Sequence, residues 1–299
     1  MDINKEILNL DWKREPYGLY EPIEYTLAAG GKRVRPQLAM IASQMFGGKD
    51  EDVLPAALAL EVFHNFTLLH DDVADDSAQR RGVPTIMSLM GPSVAVLIGD
   101  YWLVKAMQLI LQSSKTDVRA IKIFSKTLSD LAEGEMLQLQ KAQKGDTTEE
   151  DYIRIIYNKT ASLFEAACLS AAVSVSVSAE YENAAREYSV ALGKAFQIKD
   201  DILDYAGTDA VGKPLGADIL EQKITMPLLG AFANAGSQKE VHVRTLVADI
   251  VSHPENRDEI VTFVKENGGL EYAVSRLNSY VEAAVRALDM FPESEAKNS

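Results

Sequence analysis

Apolar residues recur along most of this chain at the three- and four-residue spacing that is typical of amphipathic helices. Clusters of glycine and proline, such as Gly47-Gly48 and Gly91-Pro92, separate the periodic segments. Because almost no segment alternates with period two, the pattern predicts an all-α fold. The predicted helices lie near residues 3–14, 20–28, 35–46, 51–79, 93–113, 117–142, 149–177, 181–206, 221–235, 239–252, 256–266 and 269–290.

One segment departs from this periodicity. Residues 172–178 read Ala-Val-Ser-Val-Ser-Val-Ser and would be typical of a strand in isolation. The sequence offers no partner strand, and the segment extends a helical run that begins near Asp151. We therefore expect it to be helical.

Composition limits the number of domains, the partners and the location that can be expected for this protein. The chain has 299 residues, 47% of them hydrophobic, without a stretch that resembles a linker, which predicts a single domain over residues 1–299. The formal net charge of −14 argues against nucleic acid and anionic membrane surfaces as partners. The most apolar stretch, residues 94–111, is interrupted by Asp100 and Lys105, and the N-terminus lacks an apolar signal core. We expect a cytoplasmic protein without a membrane span.

The chain contains two acidic clusters of the form DDxxD, residues 71–75 and 200–204. Both lie within apolar helical pattern, where residues four apart share a face, so each stacks two carboxylates roughly 5–6 Å apart. Such oxygen-only ligands suit hard ions such as Mg²⁺. One copy alone would be typical of a solvated acidic face. Two copies favour a magnesium site in which facing clusters hold a diphosphate.

Cations lie beside glycine turns, in Gly30-Gly31-Lys32-Arg33-Val34-Arg35-Pro36 and in Arg80-Arg81-Gly82. Arginine binds phosphate oxygens in bidentate fashion, and lysine binds them as a point charge. Most of the 30 Lys and Arg residues are expected to be ordinary surface cations. Clustering beside turns in an acidic chain favours phosphate binding for Lys32, Arg35 and Arg81.

The motifs follow one another in a recognisable order: GGKRVRP (30–36), His64, LLHDDVADDSAQRRG (68–82), GEMLQ (134–138), YNKTASLFEAA (157–167), FQIKDDILDYAG (196–207), GKPLGAD (212–218) and EQKITMPLL (221–229). In this series the chain resembles the trans-isoprenyl diphosphate synthases. The resemblance implies a single large helical bundle around a central cavity, the isoprenoid synthase type I fold. One departure is Gln222, where the family usually has glycine.

The resemblance also implies roles for residues at matching positions. Implied magnesium ligands are Asp71, Asp75, Asp200 and Asp204, with Asp72 and Asp201 in support. Implied contacts to an allylic diphosphate are Arg80, Lys159, Lys213 and Lys223. The implied pocket for isopentenyl diphosphate consists of Lys32, Arg35, His64 and Arg81, and Thr160 and Gln197 are implied near the reacting carbons. Without the resemblance, His64 would be typical of a core histidine.

The implied reaction is head-to-tail condensation of isopentenyl diphosphate with an allylic prenyl diphosphate, using three Mg²⁺ ions. A homodimer is expected, since the apolar residues after Pro92 exceed what one helix face needs for its own core. A class I terpene cyclase is the main rival, but cyclases usually lack a second DDxxD and the GGKRVRP pocket. A non-catalytic subunit of a heteromeric synthase would usually have degraded aspartate motifs.

Product length follows from residues that precede Asp71 on its helix. At 1.5 Å per residue, Phe63 lies roughly 12 Å below the metal site, with Phe66 and the small Thr67 above it. An extended isoprene unit is about 5 Å long, so the two rings predict a short product of about twenty carbons, with about fifteen or twenty-five also open. Two alternatives stay open: the rings simply pack in the core, and residues 131–151 and 157–169 resemble long-chain quinone-tail synthases.

Overall fold

A computed structural model describes residues 2–12, 18–112, 118–206 and 216–299. Its regular structure is almost entirely helical, which confirms the all-α prediction. The helices are α1 (Ile3–Leu8), α2 (Tyr20–Ala28), α3 (Val34–Met45), α4 (Asp50–Ala74), α5 (Ile86–Met90), α6 (Pro92–Gln112), α7 (Val118–Lys144), α8 (Glu149–Ile156), α9 (Ser162–Val175), α10 (Ala179–Ala206), α11 (Ala217–Leu220), α12 (Met226–Ala235), α13 (Ser237–Ala248), α14 (Asn256–Glu266) and α15 (Gly269–Ala287). A π-helical segment (Tyr157–Ala161) joins α8 to α9, and β1 (Gln79–Arg80) pairs antiparallel with β2 (Val83–Pro84).

The chain forms two compact units. Unit 1 consists of Met1–Ser125, Ala166–Ala185 and Phe291–Ser299, and unit 2 consists of Lys126–Glu165 and Arg186–Met290. The first DDxxD motif belongs to unit 1 and the second to unit 2. One domain over residues 1–299 stays a prediction.

In unit 1, α4 packs against α3 and α6. Three acidic residues, Asp50, Glu51 and Asp52, occupy the first turn of α4, where the helix dipole favours negative charge. The buried face of this helix contributes Leu60 and Phe63 to the core. Its last turn carries the first DDxxD motif, so the core packing of α4 fixes the position of these carboxylates.

The predicted helix over residues 51–79 is five residues too long at its C-terminal end. Asp75 is the C-cap of α4, Asp76 has a left-handed φ of 49°, and the Ser77 amide donates to the Asp72 carbonyl at 2.9 Å. This turn redirects the chain into the β1–β2 hairpin, whose Arg81 and Gly82 also have positive φ. The hairpin returns Arg80 and Arg81 towards the end of α4.

In unit 2, α12 packs against α13, α14 and α15 over an apolar core. Gly230 of α12 allows the close approach of α15, because a Cβ there would lie 2.6 Å from the Tyr272 Cβ. Tyr152 of α8 and Ile198 and Tyr205 of α10 belong to the same core. The core therefore anchors the end of α10 that carries the second DDxxD motif.

Other boundaries differ locally from the sequence prediction. Helix α1 ends at Leu8 rather than near residue 14, and the predicted helix over 221–235 begins only at Met226. The short helix α5 was not predicted. The alternating segment is helical through Val175, as predicted, and ends where Ser176 adopts a φ of 59°.

By length and composition alone, two helices in the described part of the chain could cross a membrane, Asp50–Ala74 and Pro92–Leu111. Core helices pass the same test, so this is weak evidence for a span. Most of the apolar window in Asp50–Ala74, 61%, is buried inside the protein.

Candidate functional site

The first motif places its carboxylates in different environments. Asp71 is half-buried and Asp75 is exposed, one helical turn apart at the end of α4. Asp72 is buried and accepts a hydrogen bond from Arg80 Nε at 2.7 Å. Burial raises the pKa of Asp72, while Arg80 opposes the rise. Asp71 and Asp75 therefore form the outward pair of the motif, and Asp72 holds the hairpin.

The cations of the GGKRVRP segment separate into exposed and buried groups. Lys32 is exposed in the turn before α3, and Arg35 lies half-buried in the first turn of that helix. Arg33 instead points inward, where its Nη1 lies 3.0 Å from Glu61 Oε1 and its Nε lies 2.6 Å from Asn4 Oδ1. Its side chain is 8% exposed and that of Glu61 is 3% exposed. Arg33 is thus a core ion-pair partner, whereas Lys32 is exposed and Arg35 is half-buried.

The hairpin and the GGKRVRP segment meet around His64. Arg81 donates to the Gly30 carbonyl, and a Cβ at Gly31 would lie 2.8 Å from Arg81 Nη1. Burial, and then the charges of Arg35 and Arg81, lower the pKa of His64 well below its usual range. Unit 1 therefore brings His64, Arg35 and Arg81 close enough to interact electrostatically, and the lowered pKa of His64 favours the neutral imidazole.

The second motif is also divided by burial. Asp200 is exposed at the end of α10, and Asp204 accepts hydrogen bonds from the backbone amides of Ala217 and Asp218 at 3.1 and 3.3 Å. Asp201 is buried, and burial followed by the charge of Asp218 raises its pKa to about 8. Tyr152 donates to Asp201 Oδ2 at 2.5 Å. Asp200 is therefore the exposed carboxylate of the motif, whereas Asp201 is held in the core by its hydrogen bond from Tyr152.

Lys159 and Thr160 lie in the π-helical segment, a type of irregularity that is frequent at functional sites. Lys159 forms an ion pair with Glu135 of α7. Thr160 is buried and donates to Gln197 Oε1 at 2.7 Å. A Cβ at Gly193 would lie 2.5 Å from the Ala161 Cα, so α10 can approach the π-helical segment this closely only with glycine at that position.

Lys223 forms an ion pair with Glu221 in the turn after α11. Gln222 adopts a φ of 57°, the left-handed conformation that glycine enters most easily, and its amide donates to the Ala248 carbonyl at 2.9 Å. The turn therefore has the left-handed backbone conformation that favours glycine, although the residue at this position is glutamine. Lys213 lies outside the described residues.

The residues predicted to limit product length form an aromatic cluster in unit 1. Phe63 is fully buried, and its ring lies 5.3 Å from Phe66 and 6.1 Å from Phe124 of α7, between ring centroids. The hydroxyl of Thr67 donates to the His64 carbonyl at 2.8 Å, which leaves its methyl group as the small apolar surface above the rings. Phe124 was not predicted, because its proximity to Phe63 depends on packing between helices.

The donor set fits magnesium in kind and number. Mg²⁺ typically binds one or two protein carboxylates and fills its other positions with water and substrate phosphates. Within the described ranges, no group of three or more His, Cys, Asp or Glu side chains forms a closed metal cage. Each pair taken by itself, Asp71 with Asp75 in unit 1 and Asp200 with Asp204 in unit 2, matches the one or two carboxylates of an ion that a substrate must help to coordinate.

Sequence reasoning missed Tyr152, Glu61 and Glu135. Each of these side chains contacts a predicted site residue or its neighbour through tertiary packing, between residues 24 or more positions apart. The one available signal was the apolar environment of Asp201, since a buried carboxylate needs a hydrogen-bond donor.

Comparisons with known proteins agree with this geometry. Residues 16–265 match the polyprenyl synthetase family. The octaprenyl diphosphate synthase of Haemophilus influenzae is 37% identical over 276 residues, which cover 92% of this chain and 83% of that protein.

Two solved structures also superpose on nearly the whole chain. The geranylgeranyl pyrophosphate synthetase of Pyrococcus horikoshii has a TM-score of 0.91 at 30% identity, over 99% of this chain and 91% of that one. The decaprenyl diphosphate synthase of Rhodobacter capsulatus has a TM-score of 0.88 at 32% identity, with the same coverage. Sequence, fold and relatives together place this chain in the polyprenyl synthetase family, among the prenyl diphosphate synthases.

Proposed function

We propose that this protein is a magnesium-dependent trans-prenyltransferase that condenses isopentenyl diphosphate with an allylic prenyl diphosphate. The observation that carries the proposal is the presence of two intact DDxxD motifs together with a separate group of cations around His64. A terpene cyclase binds one diphosphate and has no use for the second group. The relatives named above support the reaction class.

Each group of residues has a distinct task. Asp71, Asp75, Asp200 and Asp204 would hold Mg²⁺, three ions by resemblance, and the bound metal would supply positive charge that stabilises the leaving pyrophosphate. Arg80, Lys159, Lys213 and Lys223 contribute positive charge to the allylic diphosphate. Lys32, Arg35, His64 and Arg81 bind isopentenyl diphosphate without metal, where a neutral His64 can accept or donate a hydrogen bond. Holding both substrates in line and excluding water promotes attack by the double bond on the allylic cation.

The reaction class is tested by incubating the purified protein with magnesium, isopentenyl diphosphate and a series of allylic diphosphates. We expect elongated prenyl diphosphates in the mass spectrum and no product once a chelator removes the metal. Cyclic hydrocarbon made from the allylic substrate alone would identify a cyclase. Consumption of neither substrate would support a non-catalytic subunit.

Product length is proposed to be about twenty carbons. The growing tail runs along α4 from Asp71 towards the rings of Phe66 and Phe63, and the Phe124 ring backs Phe63. Three rings that pack against one another are displaced less easily than an isolated side chain. This packing supports a block to the growing prenyl tail at the position of Phe63 and Phe66. The long-chain alternative is favoured by the 37% identity to an octaprenyl diphosphate synthase.

Removing the rings should lengthen the product. In Phe66→Ala, Phe63→Ala and the double variant, we expect longer prenyl diphosphates in the mass spectrum, because the path along α4 opens. Phe232→Ala, which removes a ring from the core of unit 2, controls for lost stability. An unchanged product distribution in the double variant would show that the two rings pack in the core without limiting product length. Long products from the parent protein would favour the long-chain, octaprenyl-type alternative.

The protein is proposed to be a homodimer that pairs through α6. Ile98 and Trp102 of this helix are buried in unit 1 and belong to its core. Leu97, Val104 and Leu111 are exposed instead, and their seven-residue spacing places them along one stripe, as in helix–helix seams. If a second copy of the chain presents the same stripe, the two stripes can pack against each other and both become buried.

Light scattering tests this pairing. We expect twice the 32.8 kDa mass of one chain for the parent, and a shift towards the monomer mass for Val104→Glu, which places a charge in the middle of the stripe. Val251→Glu, at a valine of unit 2 that is more exposed than Val104, should leave the mass unchanged. A parent that scatters as a monomer at micromolar concentration would contradict the dimer. The expectation of a cytoplasmic protein without a membrane span rests on sequence alone.

A further inference from the structure

Three hydrogen bonds connect a buried tyrosine to the residues placed near the reacting carbons. Tyr152 donates to Asp201 Oδ2 at 2.5 Å, Gln197 Nε2 donates to Asp201 Oδ1 at 2.9 Å, and Thr160 Oγ1 donates to Gln197 Oε1 at 2.7 Å. All four residues belong to unit 2. Tyr152 is 3% exposed, as is Asp201. The chain of contacts therefore runs from the core to the π-helical segment.

The order of donors and acceptors fixes the orientation of each group. Both oxygens of the Asp201 carboxyl group are engaged, Oδ2 by the Tyr152 hydroxyl and Oδ1 by the Gln197 amide nitrogen. Because the amide nitrogen of Gln197 faces the carboxylate, its carbonyl oxygen must face Thr160. A reversed amide would set its oxygen against an oxygen of Asp201 and lose that hydrogen bond, although its nitrogen could still donate to the Thr160 hydroxyl. The carboxamide therefore has one favourable orientation, and Tyr152 helps to hold the carboxylate that selects it.

The backbone supports the same arrangement. Tyr152 on α8 and Thr160 in the π-helical segment reach α10 at two points, Asp201 and Gln197. Between these two elements, Gly193 lies against Ala161, next to Thr160. The segment and α10 are thus held in register by a close backbone contact near Thr160 and by a buried phenol near Asp201.

We infer that Tyr152 is a positioning residue for prenyl transfer: it holds Asp201, and through Asp201 it orients the Gln197 carboxamide and the Thr160 hydroxyl. This inference rests on the proposed function, and it concerns a residue outside every motif that indicated that function. Tyr152 does not touch substrate, because its hydroxyl is buried and bound to Asp201. Its loss should lower kcat and leave ground-state binding intact.

Tyr152→Phe tests the inference, with Tyr272→Phe as the matched control. Tyr272 also donates to a carboxylate in unit 2, Glu149, at 2.6 Å, but it lies outside the chain of contacts. In Tyr152→Phe we expect kcat to fall by about 10-fold, the factor for losing one buried hydrogen bond. The KM for isopentenyl diphosphate, the Kd of an unreactive allylic diphosphate analogue and the Tm should match those of Tyr272→Phe.

A double-mutant cycle with Thr160→Val separates positioning from general stability. If Tyr152 acts through Gln197 on Thr160, the kcat of the double variant should be little lower than the kcat of the less active single variant. Multiplicative losses, a parent-like kcat in Tyr152→Phe, or a loss of analogue binding equal to the loss of kcat would overturn the inference. A parent enzyme that makes no elongated product would instead refute the proposed function, so the two failures are distinguishable.

Discussion

Replacing Asp71 or Asp200 by alanine should lower kcat by at least about 100-fold, the scale on which losing one stabiliser of developing charge acts. Each of these carboxylates lies on the outward side of its motif, unlike the buried Asp72 and Asp201. Without them, the negative charge on the leaving pyrophosphate would be poorly neutralised. Steady-state elongation assays with saturating magnesium and both substrates measure the effect.

Folding should not suffer in either variant, because removing one of two stacked carboxylates relieves repulsion within the helix. Circular dichroism and thermal unfolding check this point. Asp76→Asn is the matched control, since Asp76 is exposed beside the first motif and asparagine tolerates its left-handed φ of 49°. Near-normal elongation by Asp71→Ala or Asp200→Ala would refute the assignment of these residues to the metal site.

The sequence predicts the helices well where local periodicity and packing agree. Helices α2 and α14 have the predicted bounds, and the second motif lies on a long helix as expected. The predicted helix boundary is wrong where a tertiary contact determines the end of the helix. The first motif ends its helix because Asp72 accepts hydrogen bonds from Ser77 and Arg80, and neither bond can be read from the sequence pattern.

The candidate site shows the same division between local and tertiary information. Spacing alone identifies Asp71 with Asp75 as a stacked pair. It does not reveal the π-helical segment around Thr160, which accompanies the close contact between Gly193 and Ala161. Gln222 shows the converse: the family's usual glycine is absent, yet the left-handed backbone persists, with the Gln222 side chain bonded to the Ala248 carbonyl.

Arg33→Met should destabilise the protein by about 3–5 kcal/mol, the range for removing one partner of a buried ion pair. The substitution leaves Glu61 buried without its guanidinium partner, and it also removes donors to Asn4 and the Leu27 carbonyl. The family resemblance assigns Lys32 and not Arg33 to the substrate pocket, but the local sequence gives no physical reason for that difference. The structure does, since Lys32 is exposed. Chemical denaturation monitored by circular dichroism measures the free energy of unfolding.

Lys32→Met is the contrasting variant. Its free energy of unfolding should stay within about 0.5 kcal/mol of the parent, as for most surface substitutions, while its KM for isopentenyl diphosphate should rise more than its KM for the allylic substrate. In Arg33→Met, a second change of Glu61→Met should recover part of the lost stability, because replacing both partners removes the uncompensated charge. If Arg33→Met instead raised the KM without loss of stability, Arg33 would belong to the substrate pocket and Glu61 would have another partner.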